Sequence, residues 1–275
     1  MKKVVIGFMV AVVGAIAAFG VMVGFDTSSS PVVTASNDCK DLPSHSDLSS
    51  KLATVVAGTT GGFENDMWAT IVDSNGVVCV VTKSGDSNND QWLGSRVISA
   101  QKANTANAFS LNAGAGGVFV GLALSTGNLY SLVQSGGILF GLQESNPVDV
   151  GVAYRGNPSK FGEHNDPMVG GKIGGLNVFG GGLGLYDEDG LLVGGLGVSG
   201  DTSCADHNIA WETRDALFLD NPPLGLGIPG DNIIYDIAPD PDGHLVSANG
   251  FGHPDCGLGE SAISGNYAAT HPLGP

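Results

Sequence analysis

The sequence predicts an α+β fold, in which helices pack on an antiparallel sheet of about five strands. Apolar residues recur at helical spacing in three long segments, and two hairpin patterns lie between these segments. The resulting order is helix, hairpin, helix, hairpin, helix, which is typical of an antiparallel sheet with helices packed on it. No Gly-x-Gly-x-x-Gly motif follows a strand in a βαβ unit, so a dinucleotide-binding parallel sheet has little support.

The first three elements have clear local signals. Ser44 followed by Asp47 forms an N-capping pattern at the start of an amphipathic segment. Asn75-Gly76 is a strong signal for a tight hairpin turn between two segments rich in strand formers. Alanines at 103 and 106 allow the next helix to pack closely on a sheet. The predicted elements are a helix over 45–57, a hairpin of Met67–Asp73 and Val77–Thr82, and a helix over 96–110.

The second half repeats the hairpin and helix pattern after a long loop. Leu183–Tyr186 and Leu191–Val198 flank the turn Asp187–Gly190, and a third long helix is predicted over 203–218. The glycines of this hairpin leave room for another backbone or a flat ligand. Shorter predicted elements are a helix over Thr126–Gln134 and strands over Phe140–Glu144 and Ile233–Ile237, with a long loop over 146–175.

The N-terminal segment has the order of a secretory signal. Lys2 and Lys3 precede an uncharged apolar run, Val4–Phe25. A peptidase would cut near Ala15-Ile16-Ala17 or after Val33-Thr34-Ala35, or the run would remain as a membrane anchor. Both alternatives place the rest of the chain outside the cytoplasm, as a periplasmic or secreted domain. We therefore expect 1–35 to be a leader with its linker and 36–275 to be a single domain.

The charge balance excludes some partners. The chain has 11 Lys and Arg residues against 27 Asp and Glu residues, for a formal net charge of −16. Such a surface repels nucleic acid and anionic lipid. We therefore expect no nucleic-acid partner, and membrane contact only through the N-terminal segment if it is not cleaved.

The four cysteines predict two disulfides in an exported chain. Four cysteines allow three pairings. The positions flanking the first helix–strand unit and the C-terminal tail favour Cys39–Cys79 and Cys204–Cys256. A thiol nucleophile at Cys204 with His207 as its base is the alternative. No Cys-x-x-Cys occurs, so a zinc ribbon, a thioredoxin site and covalently attached haem are not expected.

Several segments resemble the GlcG/HbpS family, also called the haem-degrading domain family. Arg96–Ala106 resembles its Lys-Ala-x-Thr-Ala helix, and Gly181–Gly200 resembles its glycine-rich hairpin, which ends in Gly-Val-Ser-Gly. Trp68–Val81 resembles its Val-Val-Asp-x-x-Gly strand pair, and Asp206 falls where the family has an aspartate in the following helix. The stretch 111–178 is expanded, and 219–275 is a C-terminal extension. These features, with the cysteines, resemble a longer exported subgroup.

The resemblance implies an antiparallel sheet flanked by helices, with a layering like that of profilin, and oligomeric assembly. It also implies binding of haem, non-covalently, or of another small-molecule ligand. The predicted function is an exported, non-catalytic, homo-oligomeric ligand-binding protein. Two alternatives stay open: an enzyme acting on a small organic acid or a tetrapyrrole, and an accessory or assembly subunit of an extracytoplasmic complex.

The predicted ligand site lies where the second hairpin meets the third helix. Backbone N–H groups at this junction can hold a carboxylate, although Asp201 or Thr202 as a helix cap is the alternative. Lys102 would pair with a carboxylate of the ligand, or else form a salt bridge with Asp206. The predicted ligand-binding residues are Lys102, Ser199, Gly200, Asp201, Thr202 and Asp206.

Three further residues are candidate haem or metal ligands. His207 would offer an imidazole, against the alternative of an exposed helix histidine. His164 and Met168 share the loop Phe161–Val169 and are of the types that form an axial pair for haem. The segment Asp240–His244 has carboxylates for a divalent cation, but a plain turn is the simpler interpretation.

Overall fold

Two antiparallel hairpins lie side by side in the main sheet. The computed structural model describes residues 39–115 and 121–274, all of which fall within one compact unit, Ala35–Pro275. The sheet has the order β2-β1-β4-β3. Its strands are β1 (Trp68–Asp73), β2 (Val78–Lys83), β3 (Gly182–Tyr186) and β4 (Leu192–Ser199). The antiparallel α+β prediction is therefore confirmed, with four strands in this sheet instead of about five.

The inner strands of the two hairpins hold the sheet together. β1 pairs with β4 from Trp68 opposite Ser199 to Asp73 opposite Gly194. The predicted turn between β1 and β2 forms, and Gly76 adopts a φ of 77°, which glycine accepts without steric cost. The Asp73 carboxylate accepts hydrogen bonds from the N–H groups of Asn75 and Val77, so the turn is capped by its own side chain.

Two of the predicted strands are wrong. Phe140–Glu144 forms consecutive turns, because glycines at 136, 137 and 141 bend the chain there and two of them have positive φ. Ile233–Ile237 is irregular up to its last residue. The strand in this region is β5 (Ile237–Pro239), which pairs with β6 (Leu245–Ser247) in a separate two-stranded sheet.

The long helices follow the sequence prediction closely. The helices of the described chain are α1 (His45–Val56), α2 (Ser95–Phe109), α3 (Tyr130–Val133), α4 (Val150–Ala153), α5 (Ser203–Ala216), α6 (Glu260–Ser264) and α7 (Tyr267–Thr270). Short 3-10 segments occur at Cys39–Asp41, Thr126–Leu129 and Pro158–Lys160. The predicted capping box at Ser44 is present, because the Ser44 and Asp47 side chains and backbones bond reciprocally.

Helices cover both faces of the sheet. On one face, α1 and α5 share an apolar core with strand residues such as Ile71 and Leu196. On the other face, α2 packs with Trp68 and Val72. A Cβ atom at Gly197 would overlap the carbonyl oxygen of Ser99 on α2. The small residues of β4 therefore allow the backbones of α2 and the sheet to approach closely.

Both predicted disulfides are present. Cys39–Cys79 joins the start of the described chain to β2, with a Cα–Cα distance of 5.2 Å. Cys204–Cys256 joins the first turn of α5 to the C-terminal extension, with a Cα–Cα distance of 6.0 Å. Because Cys204 is oxidised, the alternative of a thiol nucleophile at this residue is wrong.

The predicted leader, 1–35, lies outside the described residues. Within 39–115 and 121–274, no helix is long and apolar enough to cross a membrane.

Candidate functional site

The predicted site residues Lys102 and Asp206 form a closed ion pair. Lys102 Nζ lies 2.6 Å from Asp206 Oδ2 and also donates to the carbonyl oxygen of Val198 at 3.0 Å. Both side chains are almost fully buried, where α2 and α5 meet the end of β4. Burial raises the pKa of Asp206 to about 6 and lowers that of Lys102. Of the two alternatives for Lys102, the structure therefore shows the salt bridge with Asp206.

The junction between β4 and α5 also satisfies its own donors. Asp206 Oδ1 accepts from the N–H groups of Gly200 and Asp201 at 3.0 and 2.8 Å. Thr202 caps α5 by accepting from the Ala205 N–H, and the Asp201 carboxylate accepts from the N–H groups of Phe63 and Asn65. An internal carboxylate thus occupies the position that the sequence suggested for a ligand carboxylate.

Ser199 is buried as well, at the end of β4. The six predicted ligand-binding residues therefore come together, but as a connection between strand and helix. A ligand would reach Lys102 only if its pair with Asp206 opened.

His207 is fully buried, so the expectation of an exposed helix histidine is wrong. Its Nε2 lies 3.1 Å from both the Ile233 N–H nitrogen and Asn232 Oδ1. Burial lowers its pKa to about 4, which keeps the imidazole neutral at pH 7. Its Nδ1 atom has no hydrogen-bond partner among the described residues. With no exposed surface, this imidazole is not presented to a ligand from solvent.

His164 and Met168 are held in different environments. His164 is exposed, whereas Met168 is fully buried in the apolar cluster beneath α2. The loop between them is fixed by Asp166, which pairs with buried Arg96 and accepts from the Gly162 N–H. As an axial pair for haem, His164 and Met168 are therefore not supported, because the methionine is enclosed by the core.

An open groove lies between the segment 130–138 and the β5–β6 hairpin. Its volume is about 910 Å³, within the range of about 300–1,000 Å³ typical of ligand pockets. Apolar side chains dominate its walls, and two of them are strongly exposed: Ile138 at 86% and Leu245 at 71%. The other apolar side chains of the lining are Leu132, Ile237, Val246, Phe251 and Pro254, with Tyr130 beside them.

One histidine, His244, stands among the described residues that line this groove. Its Nδ1 donates to Asp240 Oδ2 at 3.3 Å, which leaves Nε2 for another partner. Asp240 Oδ1 accepts from the N–H groups of Asp242 and His244, as in a plain turn. Ligand atoms of these three residues lie within 4.8 Å of one another. The turn therefore orients the imidazole, and the segment noted in the sequence as a cation loop is one wall of the groove.

The groove could not be found from the sequence. One wall lies in the expanded stretch 111–178, and the other lies in the C-terminal extension about a hundred residues later. The signal available was an apolar pair, Leu245-Val246, directly after the histidine turn.

The family resemblance is confirmed by comparison with known proteins. A sequence model of the family described as "Haem degrading protein HbpS-like" matches residues 51–215. The chain belongs to this family. No curated protein matches the chain. The matched range contains the four-stranded sheet, α2 and most of α5, whereas the β5–β6 wall of the groove lies beyond it.

Solved structures similar to this chain include three proteins. The PduOC:haem complex is 24% identical with a TM-score of 0.40, and the match covers 64% of this chain and 94% of that one. Protein ORFY of Klebsiella pneumoniae is 20% identical with a TM-score of 0.39, covering 62% and 87%. A double mutant of HbpS from Streptomyces reticuli is 15% identical with a TM-score of 0.37, covering 75% and 99%.

The groove has the chemistry that haem requires. A flat macrocycle needs apolar walls, and its iron takes an imidazole nitrogen as an axial ligand. Ile138, Leu245 and His244 supply both kinds of group. No lysine or arginine occurs among the described lining residues, so the groove offers no cationic side chain to the propionates.

Proposed function

We propose that this protein binds haem or a closely related tetrapyrrole, non-covalently, in the groove between 130–138 and the β5–β6 hairpin. The observation that carries the proposal is one oriented imidazole, His244, set among exposed apolar side chains in a groove of suitable volume. Membership of the HbpS-like family supports the choice of ligand. We propose a binding role without catalysis for this groove.

Three residues beside Asp240 would hold the ligand. His244 Nε2 would bind the iron, and Asp240 fixes the ring by accepting a hydrogen bond from Nδ1–H, as carboxylates commonly do behind metal-binding histidines. Ile138 and Leu245 would supply apolar contacts to the macrocycle. Haem bound there would supply an iron centre that takes a nitrogen ligand. Lys102 and Asp206 position α2 against α5 and do not contact the ligand.

A haem titration of the full-length protein tests this assignment. We expect a saturable Soret shift at micromolar concentrations in the wild type. His244→Ala should weaken binding at least about tenfold, which corresponds to about 1.4 kcal/mol. His164→Ala is the matched control, because it removes an exposed histidine from another loop. Absence of any Soret shift, or equal affinity in all three proteins, would exclude the site.

We propose that the protein acts outside the cytoplasm. Two disulfides support this, because such bonds persist mainly in oxidising compartments. The mass of the protein isolated from its own cells tests the proposal. It should show both disulfides and either loss of the leader or its retention as an anchor. Four reduced thiols would contradict it.

We also propose that the chain forms a homo-oligomer. Large apolar side chains that face solvent support this, among them Phe218 at 80% and Ile228 at 86% exposed. An assembly role within a larger complex is the competing candidate on the same observation. Sedimentation velocity separates the cases, because a purified monomer at micromolar concentration would exclude the homo-oligomer.

A further inference from the structure

Ser203 and His253 form a hydrogen-bonded pair, and neither residue lines the proposed haem groove. Ser203 Oγ lies 2.7 Å from His253 Nε2. Ser203 begins α5 and is half-buried, whereas His253 comes from the C-terminal extension and is buried. Ser203 Oγ also accepts the N–H of Gly180 at 2.6 Å, which fixes its position.

The proton positions of this pair follow from a third group. His253 Nδ1 lies 2.7 Å from the carbonyl oxygen of Pro254, which only accepts, so Nδ1 carries the proton. Burial lowers the pKa of His253 to about 4, so the ring is neutral at pH 7. Its Nε2 lone pair therefore faces the Ser203 hydroxyl. A nucleophile, a base and a group that orients the base are all present.

The Cys204–Cys256 disulfide fixes the two halves of this pair relative to each other. It links the residue after Ser203 to a residue three positions beyond His253. The ring of Tyr130 covers the imidazole, with centroids 4.8 Å apart. The arrangement is therefore held covalently on one side and by aromatic packing on the other.

The surroundings define what could reach Ser203. Phe179, which precedes Gly180, is 49% exposed, and its ring centroid lies 6.5 Å from that of Tyr130. Asp201 and Glu260 both contact Thr202, the residue before Ser203: Asp201 accepts from its N–H and Glu260 accepts from its hydroxyl. This mixture of aromatic and acidic groups disfavours anions and accepts a neutral, apolar group.

We propose that Ser203 is a nucleophile and His253 its general base, acting on neutral carboxylic esters with an apolar acyl group. The Ser203 oxygen bonds to the acyl carbon while its proton moves to His253 Nε2. The bond from the acyl carbon to the alkoxy oxygen then breaks, and His253 returns the proton to that oxygen. Water then attacks the acyl carbon with His253 as its base, which releases the acid and restores the Ser203 hydroxyl. The N–H groups of Ser203 and Cys204, the first two of α5, have no intrahelical acceptor and would donate to the transient oxyanion.

Covalent labelling of the wild-type full-length protein tests this proposal directly. A fluorophosphonate probe should form one adduct, located on Ser203 by tandem mass spectrometry. Hydrolysis of p-nitrophenyl butyrate should fall about a hundredfold or more in Ser203→Ala and in His253→Gln. Ser50→Ala is the control, because that exposed hydroxyl donates to the Asp47 carbonyl oxygen within α1, apart from the pair and the groove lining, and should be dispensable for labelling.

Two results would overturn the proposal. One is a wild-type protein that forms no adduct or forms it on another residue. The other is ester hydrolysis that Ser203→Ala leaves unchanged. If Ser203 only holds the C-terminal extension in place, its substitution lowers the melting temperature but the wild type acquires no adduct. The wild-type result therefore decides the question even if a variant fails to fold.

Discussion

Replacing Lys102 by methionine tests the closed charge pair between α2 and α5. The variant keeps most of the side-chain volume and removes the ammonium group that lies 2.6 Å from Asp206 Oδ2. Because Asp206 is almost fully buried, its carboxylate loses a cation without gaining water. Loss of one partner of a buried ion pair costs about 3–5 kcal/mol. The backbone N–H groups of Gly200 and Asp201 still donate to Asp206. We therefore expect the variant to lose about 3 kcal/mol of unfolding free energy at pH 8.

The cost of this change should depend on pH in a defined direction. Burial already raises the pKa of Asp206 to about 6, and loss of Lys102 raises it further. A carboxyl group whose pKa is higher in the folded state than in the unfolded state stabilises the fold when protonated, and this stabilisation is lost as pH rises. Lys102→Met should therefore be less destabilising at pH 5 than at pH 8.

Urea unfolding followed by tryptophan fluorescence measures both effects. Glu163→Gln is the control, because it removes the partner of Lys83 from a pair in which Glu163 is 49% exposed. Such a pair contributes about 1 kcal/mol or less. A destabilisation by Lys102→Met no larger than that of the control, or one that is greater at pH 5 than at pH 8, would show that the pair does not stabilise the fold as a buried ion pair.

Three more predictions concern stability. Folded His207 has a pKa of about 4, so the unfolded chain binds the proton first as pH falls. The wild type should therefore lose about 3 kcal/mol more unfolding free energy between pH 6.5 and 4 than His207→Gln does. Equal losses of unfolding free energy in the two proteins over a pH series would contradict this. A double serine substitution that removes the Cys204–Cys256 bond should lower the free energy of unfolding by about 4 kcal/mol, because the bond joins residues 52 positions apart. An unchanged melting temperature by calorimetry would contradict this. Gly197→Ala should destabilise by about 3 kcal/mol or more, because its Cβ would overlap Ser99, whereas Gly94→Ala meets nothing within 4 Å and should be nearly neutral in the same denaturation assay.

The parts of the fold that carry local signals were predictable. The capping box at Ser44 and the turn at Gly76 specify their elements through short-range bonds. Helix α5 begins at Ser203, one residue after its predicted and observed cap, Thr202. The strand predicted at Phe140–Glu144 failed because glycines before it and within it form turns that residue type alone does not reveal.

The candidate site was less predictable because burial is a tertiary property. Lys102 and Asp206 were correctly placed together, but the sequence did not show that the surrounding chain closes over them. Met168 has the right chemistry for a haem ligand, yet the core encloses it. The groove and the Ser203–His253 pair each join segments far apart in the chain, and no periodicity links such segments.

A crystal structure of the full-length protein loaded with haem would show whether the groove is the haem site. We expect a macrocycle between the Ile138 and Leu245 walls of the groove, with the iron bonded to His244 Nε2 and the Lys102–Asp206 pair intact. Haem bound at an opened Lys102–Asp206 pair, or with the iron on any residue other than His244, would contradict it.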